Sequence, residues 1–276
     1  MRVLITGAGG QLATDLVPAF DGHEVVATTR AELDLADRDS TMGAICSVEP
    51  DIIVHPAAWT AVDACEADRE QAFRINALGT RHVANAARIV GAHVVYISTD
   101  YVFDGDADEA YHEWSPTNPQ SVYGASKLAG EHELDPCWSV IRTAWVVGPH
   151  GRNFVKTMLR LAAERDEIGV VSDQRGSPAF TGDLAPMIRR LAIARYPGVI
   201  HVTNQGSVTW FDFAREILRL AGHDPEKIRP ISTDDYGAPA PRPKNSVLDN
   251  LVLRSLGIPL LPAWQESLER TIKELV

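Results

Sequence analysis

At 276 residues, with 45% hydrophobic and 23% charged side chains, the chain can bury a sizeable core without disulfide support and fits one large domain or a domain with a smaller lobe. Its formal net charge of −11 argues against broad binding of nucleic acid, so an anionic substrate would need cations placed locally. The three cysteines, Cys46, Cys65 and Cys137, lie far apart with no CxxC or Cys/His spacing for zinc, which points to reduced thiols in a cytoplasm and no metal. The opening run Met1-Arg2-Val3-Leu4-Ile5 is too short for a signal peptide, and no segment approaches the roughly 18 apolar residues of a membrane helix.

Arg2-Val3-Leu4-Ile5-Thr6 reads as a strand, followed by Gly7-Ala8-Gly9-Gly10-Gln11-Leu12-Ala13 and a helical pattern through Leu16, Val17 and Phe20. Strand, glycine turn and helix together form the setting in which a dinucleotide pyrophosphate rests on a helix N-terminus. The next strand, Glu24 to Arg30, ends in an arginine where an NAD site usually shows an acid. Arg30 suits a 2′-phosphate, whereas Glu32 and Asp34 nearby suit an unphosphorylated ribose. The expected cofactor is NADPH, with NADH left open. Asp51-Ile52-Ile53-Val54-His55 is a third strand, ending in the small residues of Pro56-Ala57-Ala58-Trp59-Thr60. A long helix is expected from Ala67 to about Val90, with Asn76 inside it. His93-Val94-Val95-Tyr96-Ile97 is the fourth strand, and Ser98-Thr99-Asp100 closes it.

Tyr123 and Lys127 then stand four residues apart, on one face of a helix. A tyrosine alone is a poor acid at neutral pH, with a pKa of about 10, but an ammonium within roughly 4–6 Å would lower it. The competing explanation is a surface helix with an exposed tyrosine and lysine. A strand at Trp138-Ser139-Val140-Ile141 completes a regular alternation, which predicts an α/β fold: a Rossmann-type doubly wound parallel sheet over residues 1–150 that binds the dinucleotide. Residues 151–276 alternate more loosely and read mainly as a smaller substrate-binding lobe, free to return strands or helices to the first domain. There, helices are expected at Phe154 to Arg165, Trp210 to Leu220 (with Thr209 as N-cap) and about Pro262 to Leu275, and short strands at residues 169–171 and 199–202. Residues 230–244 read as an ordered proline-rich loop. Arg242, Lys244 and Arg175 are candidates for a substrate pyrophosphate or, equally, solvated cations. His150 and His201 read as structural.

From Met1 to about Gly148 the chain resembles the extended short-chain dehydrogenase/reductase superfamily. The resemblance implies that Thr99 orients a carbonyl, that Tyr123 donates the proton, and that Lys127 holds the cofactor ribose and lowers the tyrosine pKa. It relates Asn76 loosely to the family's relay asparagine. Further words run through nearly the whole chain: Gly10-Gln11-Leu12, residues 58–63 (Ala-Trp-Thr-Ala-Val-Asp), 98–105 (Ser-Thr-Asp-Tyr-Val-Phe-Asp-Gly), 123–131, 142–146, 153–158, 173–178 and 241–246. They resemble the dTDP-4-dehydrorhamnose reductases. That resemblance implies an NAD(P)H-dependent reduction of a C4 ketone, with a nucleotide sugar as substrate and a monomer or homodimer as the working form. It assigns Gly7, Gly10, Gln11, Leu12, Arg30, Asp34, Leu35, Ala57, Ala58, Tyr123 and Lys127 to the cofactor. Thr60, Val62, Thr99, Asp100, Tyr123 and Trp145 fall to the sugar; on its strand Trp145 could otherwise be plain core. His55-Pro56 and Trp59 depart from the usual pattern. Some relatives dimerise around a divalent cation; Asp15 is a possible match to a ligand, and Asp183 aligns ambiguously with the second. Alternatives are a reductase of another 4-keto-6-deoxy sugar (dihydrostreptose or 6-deoxytalose type), or a regulatory subunit resembling methionine adenosyltransferase β.

Overall fold

Alternation along the first strand decides the layering. In β1 (Arg2–Thr6), Val3 and Ile5 belong to one buried cluster and Leu4 to another, because successive side chains leave a strand on opposite faces. Both faces must therefore be covered, as in parallel sheets generally. The computed structural model describes all 276 residues and runs β1, α1 (Gln11–Ala19), β2 (Glu24–Thr28), α2 (Arg38–Val48), β3 (Ile52–His55), α3 (Val62–Ala67), α4 (Arg69–Phe73), α5 (Gly79–Val90), β4 (His93–Thr99), α6 (Val122–Glu131) and β5 (Ser139–Thr143). It continues with β6 (Val146–Val147), α7 (Phe154–Glu164), β7 (Ile168–Val171), β8 (Arg175–Gly176), β9 (Ala179–Phe180), α8 (Thr181–Ala194) and β10 (Gly198–His201). The last elements are β11 (Val208–Thr209), α9 (Trp210–Leu220), β12 (Ile228–Ile231), α10 (Thr233–Tyr236), α11 (Leu251–Ser255) and α12 (Trp264–Leu275).

Six parallel strands form the central sheet in the order β10-β5-β4-β3-β1-β2. Leu12 and Leu16 of α1, with Leu184, Ile188 and Leu191 of α8, cover one face. Ile45 of α2, with Val83, Ala84 and Ala87 of α5, covers the other. Because β1 lies between β2 and β3, the strand order reverses beside it. The carboxyl ends of β1 and β3 therefore open the crevice where such sheets take ligands. The second half builds its own core from Met158, Phe213, Ile217, Leu268 and Ile272, while β10 joins the central sheet and α8 packs on it.

The expected helix from Ala67 to Val90 is interrupted. Asp68 accepts a hydrogen bond from the Gln71 amide (2.9 Å) and starts α4 afresh, because a short acidic side chain competes for backbone N–H groups. Residues Arg74–Leu78 then form a π-turn that carries Asn76. No helix is long and apolar enough to cross a membrane.

Candidate active site

A cavity of about 840 Å³ opens along the carboxyl edge of the sheet. Every residue assigned above to cofactor or sugar lines it: Gly7, Gly10, Gln11, Leu12, Arg30, Asp34, Leu35, Ala57, Ala58, Thr60, Val62, Thr99, Asp100, Tyr123, Lys127 and Trp145. At one end Gly7 takes φ +69°, and a Cβ there would fall 2.9 Å from that of Ala57, so the turn admits no side chain against the β3 loop. Gly10 opens α1 without a side-chain cap, and the first turn carries no acidic residue. Its amides are left for an anion, and Ala13 is buried where helix meets sheet. These features fit a dinucleotide pyrophosphate. Gln11 does structural work as well: it donates to Val146 O (2.9 Å) and accepts from Asn153 Nδ2 (2.7 Å).

Arg30 stands exposed at the mouth, its Nε 3.8 Å from Asp34 Oδ2. Glu32 is turned back onto Thr29, accepting from its amide (2.8 Å) and hydroxyl (2.9 Å), and those bonds lower its pKa. The guanidinium is therefore the group at the end of β2 most free to meet a 2′-phosphate.

Thr99, at the end of β4, accepts from the Tyr101 amide (3.2 Å) and donates to Asp100 Oδ1 (2.9 Å). Asp100 is fully buried, which pushes its carboxyl up to about 6 against the hydrogen bonds from Ser246 and Thr99. Ser121 caps α6 through the Gly124 amide (3.1 Å), which sets Tyr123 on the first turn beside Thr99. Burial raises the Tyr123 pKa, while contact with the Thr99 hydroxyl works in the opposite direction. Tyr123 is thus a neutral phenol at neutral pH.

Lys127 is buried on α6: Nζ donates to Ile97 O (2.7 Å) and sits 4.0 Å from the centre of the Tyr96 ring. Burial lowers its pKa to about 7, opposed by the charge of Glu131. Tyr96 holds the other end of the same residue by donating to Lys127 O (3.3 Å). Beneath the pair, Glu131 accepts from Arg142 Nε (3.0 Å) and Nη2 (2.7 Å) and from Ser98, locking α6 to β4 and β5.

Asn76 makes three side-chain hydrogen bonds. Its Oδ1 accepts from Trp59 N (2.8 Å), and its Nδ2 donates to Trp59 O (3.1 Å) and Ser126 Oγ (2.9 Å). It staples the β3 loop to the tyrosine helix. His55 lies wholly buried beside it in the fold, between the hydroxyls of Thr6 (2.7 Å) and Thr80 (3.3 Å), and burial lowers its pKa to about 3.

The other candidates do not line the cavity, although Arg242 acts on Tyr101, which does. Arg242 pairs with Asp63 (2.9 Å), Arg175 bonds Ser207 (2.9 Å) and Lys244 is exposed. His201 is buried, with Nδ1 3.1 Å from both Tyr111 O and Asp249 O. Asp15 lies 3.6 Å from His150, and Asp183 is engaged with Arg270, Ser267 and Asn204. No group of three or more His, Cys, Asp or Glu side chains is placed to hold a metal ion. Tyr101, Arg152 and Trp210 line the cavity without having been singled out. Trp210 comes from the start of a helix far along the chain, and nothing in its local pattern distinguishes it from core.

With this geometry in view, the whole chain, residues 1–276, matches the family model described as the RmlD substrate binding domain. It is 43% identical to the dTDP-4-dehydrorhamnose reductase of Bacillus anthracis, solved in complex with NADP, with a TM-score of 0.96 over 99% of each chain. It is 40% identical to a dTDP-4-dehydrorhamnose reductase of Streptomyces griseus over 99% of this chain and 94% of that protein. It is 41% identical to a probable dTDP-4,6-dihydroxy-2-methyloxan-3-one 4-ketoreductase of Streptomyces antibioticus over 100% and 96%.

Proposed function

Because the chain belongs to the dTDP-4-dehydrorhamnose reductase family, we propose that it reduces the C4 ketone of dTDP-4-dehydro-L-rhamnose to dTDP-L-rhamnose, with NADPH as the hydride source. The observation that carries the reading is the meeting of Thr99 and Tyr123 in the cavity that begins at the glycine turn. The six-stranded half would hold the cofactor and the second half would close over the sugar nucleotide. The three free cysteines suit a reducing cytoplasm.

Bound NADPH supplies a hydride to the ketone carbon. The oxygen then gathers negative charge, and the neutral Tyr123 hydroxyl transfers its proton to it. The Thr99 hydroxyl proton is directed at Asp100 here, and turning that proton to the substrate oxygen would let Thr99 orient the ketone while its own oxygen still accepts from the Tyr101 amide. Lys127, held by Ile97 O and Tyr96, is set to clamp the ribose beside it. Its lowered pKa rises again once an anionic cofactor lies near, so it works there as an ammonium.

Purified protein given dTDP-4-dehydrorhamnose and NADPH should consume reduced nicotinamide. Tyr123→Phe should lose roughly 10²–10⁴-fold in rate while still binding NADPH. Absence of turnover with both NADPH and NADH would sink the proposal. Arg30→Ala should weaken NADPH binding and leave NADH binding unchanged; an unaltered ratio removes Arg30 from the cofactor site. The Streptomyces antibioticus relative, named for a different keto sugar, favours a second reading in which the substrate is another 4-keto-6-deoxy sugar nucleotide. Competition among such substrates by kcat/KM decides between them. Retention of Thr99, Tyr123 and Lys127 together weighs against a purely regulatory subunit, which would bind a protein partner without turnover.

A further inference from the structure

Trp145 enters the cavity two residues after Thr143, and Thr143 pairs with Thr99 across the sheet. The indole is therefore carried to the border of the reacting centre. Its backbone is left-handed, at φ +46°, an uncommon and costly conformation for a bulky residue. Its carbonyl accepts from the Ala179 amide (3.3 Å), next to the short pairing of β6 with β9.

Trp210 covers one face of this indole, with ring centroids 3.4 Å apart and planes within 9°. Gly176 covers another part of its surface. A Cβ at Gly176 would fall 2.5 Å from Cε2 and 2.7 Å from both Cζ2 and Nε1. A point in the ring plane at that distance from Cε2 would lie closer to Nε1 than to Cε2, so the Gly176 backbone lies over the ring. Two indoles in van der Waals contact leave no room for backbone between them, which assigns Gly176 to the opposite face. Trp210 is itself backed by Phe154, 4.5 Å away between centroids, and by Phe213.

Both faces of Trp145 are thus occupied by the protein, and a sugar could stack on it only by expelling Trp210. We propose that Trp145 and Trp210 form one immobile wall that presents ring edges to the sugar end of the cavity, with Trp210 as the positioning residue that fixes it. The wall would set substrate preference by shape, and its ligand, a nucleotide-linked deoxysugar, rests on the function proposed above.

Indole ¹H–¹⁵N spectra test this, since the chain has only 6 tryptophans. Trp145→Phe and Trp210→Phe assign the two signals, which mutual stacking should shield. dTDP-L-rhamnose is then added, with binding followed separately by calorimetry. Both shielded signals should persist in the complex. Trp210→Leu should raise KM for the sugar nucleotide about tenfold, the size of one aromatic stacking interaction, with NADPH affinity unchanged and kcat within about threefold. Gly176→Ala should raise the same KM by pushing on the indole from behind. Calorimetric binding with loss of the shielded signals means that the pair parts on binding, and overturns the wall. Absence of binding heat overturns instead the functional reading on which the ligand rests.

Discussion

Two buried groups in the site carry opposite pH dependences. Asp100 has its folded pKa raised to about 6 from an ordinary 3.8, so the folded state favours the neutral carboxyl. The stability this gives is fully present below pH 3.8 and is lost as pH rises through about 6. The shift corresponds to something on the order of 3 kcal/mol. Asp100→Asn should therefore stabilise the protein at pH 8, by up to that order, and have little effect at pH 4, as read by denaturant unfolding. An equal effect at both values would mean that burial of the charge is not the cause. Lys127 runs the other way, with a folded pKa of about 7 against an ordinary 10.5. Its stability is fully present above pH 10.5 and is lost as pH falls through about 7. Lys127→Met should raise the melting temperature at pH 6, with the gain shrinking toward pH 10, while cofactor affinity falls. A site that keeps an uncomfortable lysine at a cost in stability is what a functional role predicts.

At the scale of elements, the tyrosine helix is placed by close approach on several sides. A Cβ at Gly124 would fall 2.1 Å from Tyr101 O, and one at Gly130 would fall 2.4 Å from the Tyr96 hydroxyl and 2.5 Å from Asn76 O. The glycines of α6 therefore let it press against β4 on one side and the π-turn on the other. Asn76 fastens that contact, so Asn76→Ala leaves the Trp59 amide and carbonyl and the Ser126 hydroxyl without their partner. The expected loss is about 2–4 kcal/mol in unfolding free energy, with a fall in kcat, since Tyr123 rides on the loosened helix. Full stability in the variant would show that water replaces the side chain. Strands β1 to β5 and the helices α7, α9 and α12 were legible from apolar patterning. The break at Asp68 and the π-turn were not, because the residues from 67 to 90 keep a helical pattern throughout.

Across the whole molecule, the sheet half and the second core meet at Asp183. Its carboxylate, on the first turn of α8, accepts from Asn204 Nδ2 (2.9 Å), from the Ser267 hydroxyl on α12 and from Arg270. Asp183→Ala should cost about 1–3 kcal/mol and lower the melting temperature by several degrees, because Asn204 and Ser267 are buried donors. A carboxylate so engaged is poorly placed to serve as a cation ligand. Dialysis against EDTA should accordingly leave melting temperature and reductase rate unchanged; a drop in either would reveal a metal site that no cluster of side chains here suggests.

The sequence alone determined the parallel α/β architecture, since five runs of β-branched residues alternating with helical patterns have few other ways to bury both faces. It also determined the membership of one cavity, because residues that follow successive parallel strands must arrive at the same sheet edge. What only the tertiary structure decided is how those residues are engaged. The Lys127 ammonium is held by Ile97 O and the Tyr96 ring, Arg242 is held by Asp63, and Trp145 is enclosed by Trp210 and Gly176. Each of these partners is remote in the chain. The contacts depend on burial and packing geometry that no local pattern encodes, and the burial that raises the Tyr123 pKa is among them.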